Sequence, residues 1–401
     1  MLVCVVLIFL CYSMPGARTA VAGSVAVLRN ISSGVSPEEL VAAQPWTIPF
    51  ADQPDLLNYD NGFEINEILY DVYQARRLDE ISGFLKRIKT KIKNRELTVG
   101  VLMPERKELS AITAAFQMLG ARIEGISGKQ YHADRTHLYR HELLVSYSYH
   151  PLNYWPRLVA GNHTLVVEKA YFRGKIKGRY EQSYTWDGVN NGGIHPSGHA
   201  GRWASMRKFL GPKPWKLRCP KTVLVLGQET LDRTQYPIRR RFNSPAGFLQ
   251  KNVDSILSMF PTMKVLFRAH PGEVKTTKGL YFRPKGAIDV STEDFRRTMA
   301  RVHLVVTANS GAAIEAMANG LPVLAGDPSF MGWNCAIHRV DDLRPSITLR
   351  FHDECFHQIA VAQWSSASLK RRGLSYILNP DNYKHAVQQK ALPIEVSVFC
   401  P

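Results

Sequence analysis

The stretch His303–Ala325, HLVVTANSGAAIEAMANGLPVLA, decides how the rest of the chain is read. Its first six residues are apolar and β-branched enough for a buried strand, and Ala312 to Asn319 is rich in good helix formers. Gly320 and Pro322 stop that helix and launch a second strand over Pro322–Ala325. Between strand and helix stand Asn309, Ser310 and Gly311, whose small side chains let an anion approach free backbone N–H groups at the positive end of the helix dipole. The pattern predicts a diphosphate cradle. Glu315, one turn into the helix, is placed to reach a ribose hydroxyl or to brace the loop.

The same rhythm recurs upstream. Strands are predicted over Thr222–Leu226 and Lys264–Ala269, with a helix over Pro245–Met259 between them. Strand, helix, strand in this order implies right-handed crossovers and a sheet covered on both faces, which binds ligands beyond the carboxyl ends of its strands. The residues at those ends are therefore the candidates. Gln228 suits a phosphate or a sugar hydroxyl, or caps the following turn. Arg268 and His270 offer a fixed cation and an imidazole to a departing diphosphate, with Pro271 stiffening the turn that aims His270. Asp327 suits sugar hydroxyls, and Trp333 suits an apolar sugar or base face or the core.

The N-terminal half shows a weaker version of this order. Strands are predicted over 97–103, 121–126, 142–146 and 164–168, and a helix over 108–119 closed by Gly120. A helical spacing of apolar residues from 58 to 94 ends in a basic run (Lys86, Arg87, Lys89, Lys91, Lys93), read as a solvated helix face or an acceptor-binding patch. The Pro- and Trp-bearing stretch 201–220 reads as a linker. The fold expected is α/β, with two Rossmann-like domains facing across a cleft. Residues 1–210 would form the acceptor domain, 218–350 the nucleotide-sugar domain, and 351–401 a helix and tail, the helix running over about 353–372. Glu168 at a strand end and Asp187 in a Gly-rich turn are candidate general bases for an acceptor hydroxyl, with an ion pair and a turn former as their alternative roles. Trp186, Asn190 and Trp333 are the candidate acceptor contacts.

The chain has 401 residues, with 51 Lys+Arg against 34 Asp+Glu, for a formal charge of +17. Two domains suit that length, and the charge points to a polyanionic partner or a generally basic surface. The apolar run Met1–Tyr12 has no preceding cation and is too short to span a bilayer, so a buried strand is favoured over a signal or anchor, in a cytoplasmic protein with no stable membrane insertion. Six scattered cysteines, without C-x-x-C pairs, read as reduced thiols rather than a zinc site or disulfide framework.

Gly227-Gln228 with Asp232, His270-Pro271, Ser310-Gly311-(x3)-Glu315-Ala316-(x3)-Gly320-x-Pro322-Val323 and Phe330-x-Gly332-Trp333 resemble the capsule polysaccharide synthesis and export family. That family contains Kdo-type glycosyltransferases of the glycosyltransferase B fold. The resemblance covers about Thr222 to Trp333 and implies donor-site roles for His270, Pro271, Ser310, Gly311 and Glu315. The segments 167–171 and 183–192, with Gln363-Trp364, are similar to phage-encoded glycosyltransferase-like proteins. Together these resemblances imply transfer of a sugar from a nucleotide sugar; no cofactor and no metal are expected, since fixed cations and backbone N–H groups can take a metal's place, and the absence of a D-x-D motif fits. Hydroxymethylated bases of DNA, or a capsule or lipid-linked anionic glycan, are the acceptors they suggest. A sugar-nucleotide epimerase and a non-catalytic nucleic-acid binder are the rival readings.

Overall fold

The computed structural model describes residues 80–148, 157, 161–172, 181–188, 193–196, 200–216, 221–229, 245–327, 330–343, 346–349, 352–383 and 396–399. The apolar run at 1–12, the helical spacing before residue 80, Asn190 and Asp232 lie outside these residues.

The first sheet contains β1 (Thr98–Leu102), β2 (Arg122–Ile126), β3 (Leu143–Tyr147), β4 (His163–Lys169) and β5 (Glu181–Trp186). Helices α1 (residues 80–94), α2 (Ser110–Met118), α3 (Gly128–Ala133) and α4 (Ala200–Leu210) accompany it. The second sheet contains β6 (Thr222–Leu226), β7 (Lys264–Arg268), β8 (Ile288–Asp289), β9 (Leu304–Thr307) and β10 (Val323–Ala325), with α5 (Pro245–Met259), α6 (Pro271–Thr276), α7 (Phe295–Arg301) and α8 (Gly311–Ala318). The chain then forms β11 (Ser346–Leu349), α9 (His352–Val361), β12 (Gln363–Ser365) and β13 (Val396–Phe399). The fold is α/β with two sheets of parallel core, as the sequence indicates.

The second sheet has the order β10-β9-β6-β7-β8 and is parallel throughout. Counted from β6 this is the 3-2-1-4-5 order of a dinucleotide-binding fold. Its two faces carry separate cores. Phe248, Val253 and Ile256 of α5 close one face over Val223, Val225 and Val265, while Ala313, Ile314 and Met317 of α8 close the other over Leu224 and Leu266. Each fully buried side chain of this size contributes about 1.5–3 kcal/mol.

The first sheet has the order β12-β5-β4-β3-β1-β2. Its strands β1 to β4 are parallel, and β5 and β12 close it antiparallel. Ile81, Phe84, Leu85 and Ile88 of α1 are fully buried against it, so the helical spacing read in the sequence is a core stripe.

Three expectations change here. The stretch 201–210 is helical rather than linker, because Trp203 and Met206 are buried in the core that also holds Phe172 and Phe356. Phe172 packs on Trp203 at 5.9 Å and on Phe356 at 5.3 Å between ring centroids. The helix expected over 353–372 is broken at Gln363–Ser365, which leaves α9 to become the edge strand of the first sheet. A buried network holds it there. Arg202 donates to Glu181 at 2.6 Å and to the Gln363 carbonyl at 2.7 Å, and Gln363 donates to Glu181 at 2.9 Å. Finally, Cys335 is disulfide-bonded, so the reading of every cysteine as a free thiol does not hold.

The segment after α4 is laced to the end of α8. Lys213 N donates to the Ala318 carbonyl at 2.9 Å and Lys216 N to that of Gly320 at 2.7 Å. Gly320 has φ +79°, and a Cβ there would lie 2.1 Å from the Pro214 carbonyl oxygen, so only glycine fits.

Candidate donor crevice and adjoining cavity

Because β6, β7, β9 and β10 run parallel, the residues that follow them gather at one edge of the sheet. Gln228, His270, Asn309, Ser310, Gly311 and Asp327 are all there. The chain leaves β6 toward β7 on one side and returns as β9 on the other. In such sheets the general place for a ligand crevice is where two connections diverge, here between Gln228 after β6 and Asn309 to Gly311 after β9.

Thr307, which the sequence reading passed over, organises this turn. It is buried at the end of β9, and its Oγ1 accepts from Ser310 N at 3.0 Å and from Gln228 Nε2 at 3.4 Å. Ser310 is the N-cap of α8, with φ −63° and ψ 132°, and its side chain accepts from Ala312 N at 3.3 Å. The first turn of α8 carries no acidic side chain to offset the positive end of its dipole. Asn309 and Asp327 are buried side by side, 3.5 Å apart, and tie this turn to the end of β10.

His270 plays a role that the sequence did not suggest. It is the N-cap of α6, where its Nδ1 accepts from Gly272 N at 3.1 Å. An accepting Nδ1 leaves the ring's N–H at Nε2. Glu229, the residue after Gln228, lies 3.9 Å from Nδ1 and was also unforeseen. Its only signal was its position just beyond a strand.

Arg268 faces elsewhere. Its guanidinium donates to the carbonyls of Val290 at 3.2 Å and Glu293 at 2.6 Å and lies 5.3 Å over the Phe295 ring. It braces the turn after β8. Trp333 is 5% exposed and stacks on His338 with 3.6 Å between centroids, so its indole is core rather than a sugar platform.

The residues from the first sheet divide. Trp186 is fully buried and donates its Nε1–H to Tyr383 at 2.9 Å, which corrects its reading as an acceptor contact. Asp187 is also buried, at φ +55°, with one oxygen 2.7 Å from His163 Nδ1 and the other accepting from Thr164 N at 2.7 Å. The structure gives it the turn-forming role. Glu168 remains half-buried at the end of β4, where its charge helps to raise the pKa of Tyr147, second to the effect of that phenol's burial.

Three residues past Glu168, the chain lines a cavity of about 640 Å³. Tyr171 and Phe172 line it, as do Glu315 and Ala318 of α8 and Asn319 just after that helix. Lys213, Lys216 and Arg296 also line it, and none of these cations pairs with an acid among the described residues. Glu315 thus opens onto the same stripe of α8 whose N-terminal end borders the crevice.

Fold and site together describe an α/β protein with two parallel-centred sheets, the second of which gathers Gln228, His270, Asn309, Ser310, Gly311 and Asp327 beyond the carboxyl ends of its strands. No family model and no curated protein matches the chain. Solved structures similar to it include KpsC of Thermosulfurimonas dismutans, described as a beta Kdo 2,7 transferase, at 12% identity and a TM-score of 0.40, covering 72% of this chain and 99% of that one. A second, the same organism's KpsC beta Kdo 2,4 transferase, is similar at 13% identity and TM-score 0.42, over 67% of this chain and 92% of that one. The S. aureus MnaA–UDP complex is similar at 10% identity and TM-score 0.23, over 57% of this chain and 78% of that one.

Proposed function

We propose that the chain is a nucleotide-sugar-dependent glycosyltransferase whose donor pyrophosphate sits in the crevice between β6 and β9. The observation that carries this reading is the order β10-β9-β6-β7-β8, which brings Gln228, His270 and the start of α8 to one switch point. Breaking the bond between the sugar and its nucleoside diphosphate leaves negative charge on the departing phosphate. The backbone N–H groups at the start of α8 and the Nε2–H of His270 are the donors that stabilise it. Glu168, the more accessible of the two candidate bases, takes the proton from the acceptor hydroxyl as the new glycosidic bond forms.

The acceptor is anionic. The cavity beside α8 supports a glycan end over a DNA duplex, because its volume is that of a small-molecule site and it is lined by Lys213, Lys216 and Arg296 together with Tyr171 and Phe172. No helix among the described residues is long and apolar enough to cross a membrane.

A thermal-shift screen of nucleotide sugars tests the donor. A ligand at about 100 times its dissociation constant adds about 2.7 kcal/mol, an unmistakable rise in Tm. Product analysis then follows with acidic oligosaccharides and with duplex DNA as acceptors. Transfer to the oligosaccharide supports the reading. Interconversion of the free nucleotide sugar without an acceptor replaces it with an epimerase, and the absence of any shift refutes the donor site.

A further inference from the structure

We propose that the loop between α6 and β8 docks the protein onto an anionic bilayer surface. Five large apolar side chains stand out as exposed among the described residues; two of them are on this loop, Leu280 at 88% and Phe282 at 45%, and a third, Ile288 at 50%, opens β8 directly after it. The surrounding stretch, VKTTKGLYFRPKGAI over 274–288, contains no acidic residue. Its cations Lys275, Lys278, Arg283 and Lys285 are all exposed, and only Arg283 approaches an acid, with Asp289 at 4.0 Å.

The apolar side chains are held outward by a built loop. Lys278 and Gly279 take positive φ values of 55° and 88°, forming the turn that lifts Leu280, and Gly279 N donates to the Val274 carbonyl at 3.0 Å. Tyr281 turns inward, donating to Asp289 at 2.8 Å, so its neighbours on either side face out. Pro284 is buried, and Gln250 clamps Lys285 by accepting from its N–H at 2.8 Å and donating to its carbonyl at 3.3 Å. Apolar tips fixed outside a ring of cations suit a surface that is anionic above and hydrocarbon below.

The charge argues against the other occupants. A second copy would bring four cations against four, and β8, a two-residue edge strand, offers almost no backbone for pairing. A nucleic acid would use the cations and leave Leu280 and Phe282 in water. The loop sits beyond β8, two strands from β6, so docking leaves the crevice free and does not rest on the transfer reaction.

Cosedimentation of the full chain with phosphatidylcholine vesicles, with and without phosphatidylglycerol, tests this directly. The expected result is partition onto the anionic vesicles, reduced about tenfold or more by Leu280→Ser with Phe282→Ser, with the melting temperature unchanged. Lys278→Glu with Lys285→Glu should lower it as well. As a local reporter, the indole of a Phe282→Trp variant should shift its emission to the blue on anionic vesicles and be quenched by brominated lipid. The apolar stretch at 1–12 is common to all variants, so binding through it would be indifferent to positions 280 and 282. Equal binding by wild type and the Leu280/Phe282 variant, an unquenched indole, or a dimer that dissociates on the same substitutions would overturn the proposal.

Discussion

The two sheets share a parallel centre and differ at their ends. In the first, polar groups near the strand termini are consumed internally: Asp187 by His163 and Thr164, Trp186 by Tyr383, and Glu181 by Arg202 and Gln363. In the second, His270, Ser310 and Gln228 are half-buried, and the side chain of each makes one internal hydrogen bond. Antiparallel closure by β5 and β12 explains the contrast, since it wraps the end of β4 in further chain. A sheet left parallel to both edges keeps its carboxyl end for a ligand. The first sheet is therefore read as scaffold that offers Glu168 to the proposed reaction, and the second as the proposed donor site.

Substitutions on each side can break that division. Asp187→Ala should give the largest effect, a loss of about 3 kcal/mol in chemical denaturation, because it leaves His163 and Thr164 N without their buried acceptor. An Asp187→Ala variant of undiminished stability and no turnover would instead restore Asp187 as a catalytic base. His270→Ala should act the other way round. Turnover of the donor falls by roughly 10²- to 10³-fold, from the loss of one preorganised donor, while stability falls only by the roughly 1 kcal/mol of an N-cap.

Ser310→Ala sharpens the picture at smaller scale. Losing the cap of α8 costs about 1 kcal/mol of stability, and donor affinity should weaken without any change in acceptor affinity, as calorimetric titration would show. The smallest effect lies in the first sheet. Burial would raise the pKa of Glu142, but its bonds to Lys91 and Arg87 prevail and hold it below its ordinary value of 4.5. A carboxylate so depressed stabilises the fold above that ordinary value, and the contribution is lost as pH falls through the lower, folded value. Glu142→Gln should therefore flatten the fall in stability below about pH 4.5 by less than 1 kcal/mol, measured as Tm against pH.

Much of this was legible in the sequence because it is local. The strand-turn-helix at His303–Ala325 and the helix Pro245–Met259 each carry their own periodicity and stop signals, and the structure reproduces them closely. Strands β5 and β12 were missed because neither has an apolar run, and their pairing joins Ser183 to Gln363, far apart in the chain. Helix α4 had a signal in the spacing of Trp203, Met206 and Leu210, masked by the prolines that follow it. At the candidate site, sequence placed Gln228, His270, Asn309 to Gly311 and Asp327 beyond strands that the structure forms. It could not say that Arg268 turns to the carbonyls of 290 and 293, that Trp333 and Trp186 are core, or that His270 serves as a cap. Those outcomes depend on neighbours brought in by the fold.

The donor crevice is tested most directly by a crystal structure of the chain soaked with whichever nucleotide sugar gives the largest thermal shift. Pyrophosphate density within hydrogen-bonding distance of the Gly311 N–H group and of His270 Nε2 is the expected result. Density at any other place, with the space between β6 and β9 closed by side chains, would contradict it.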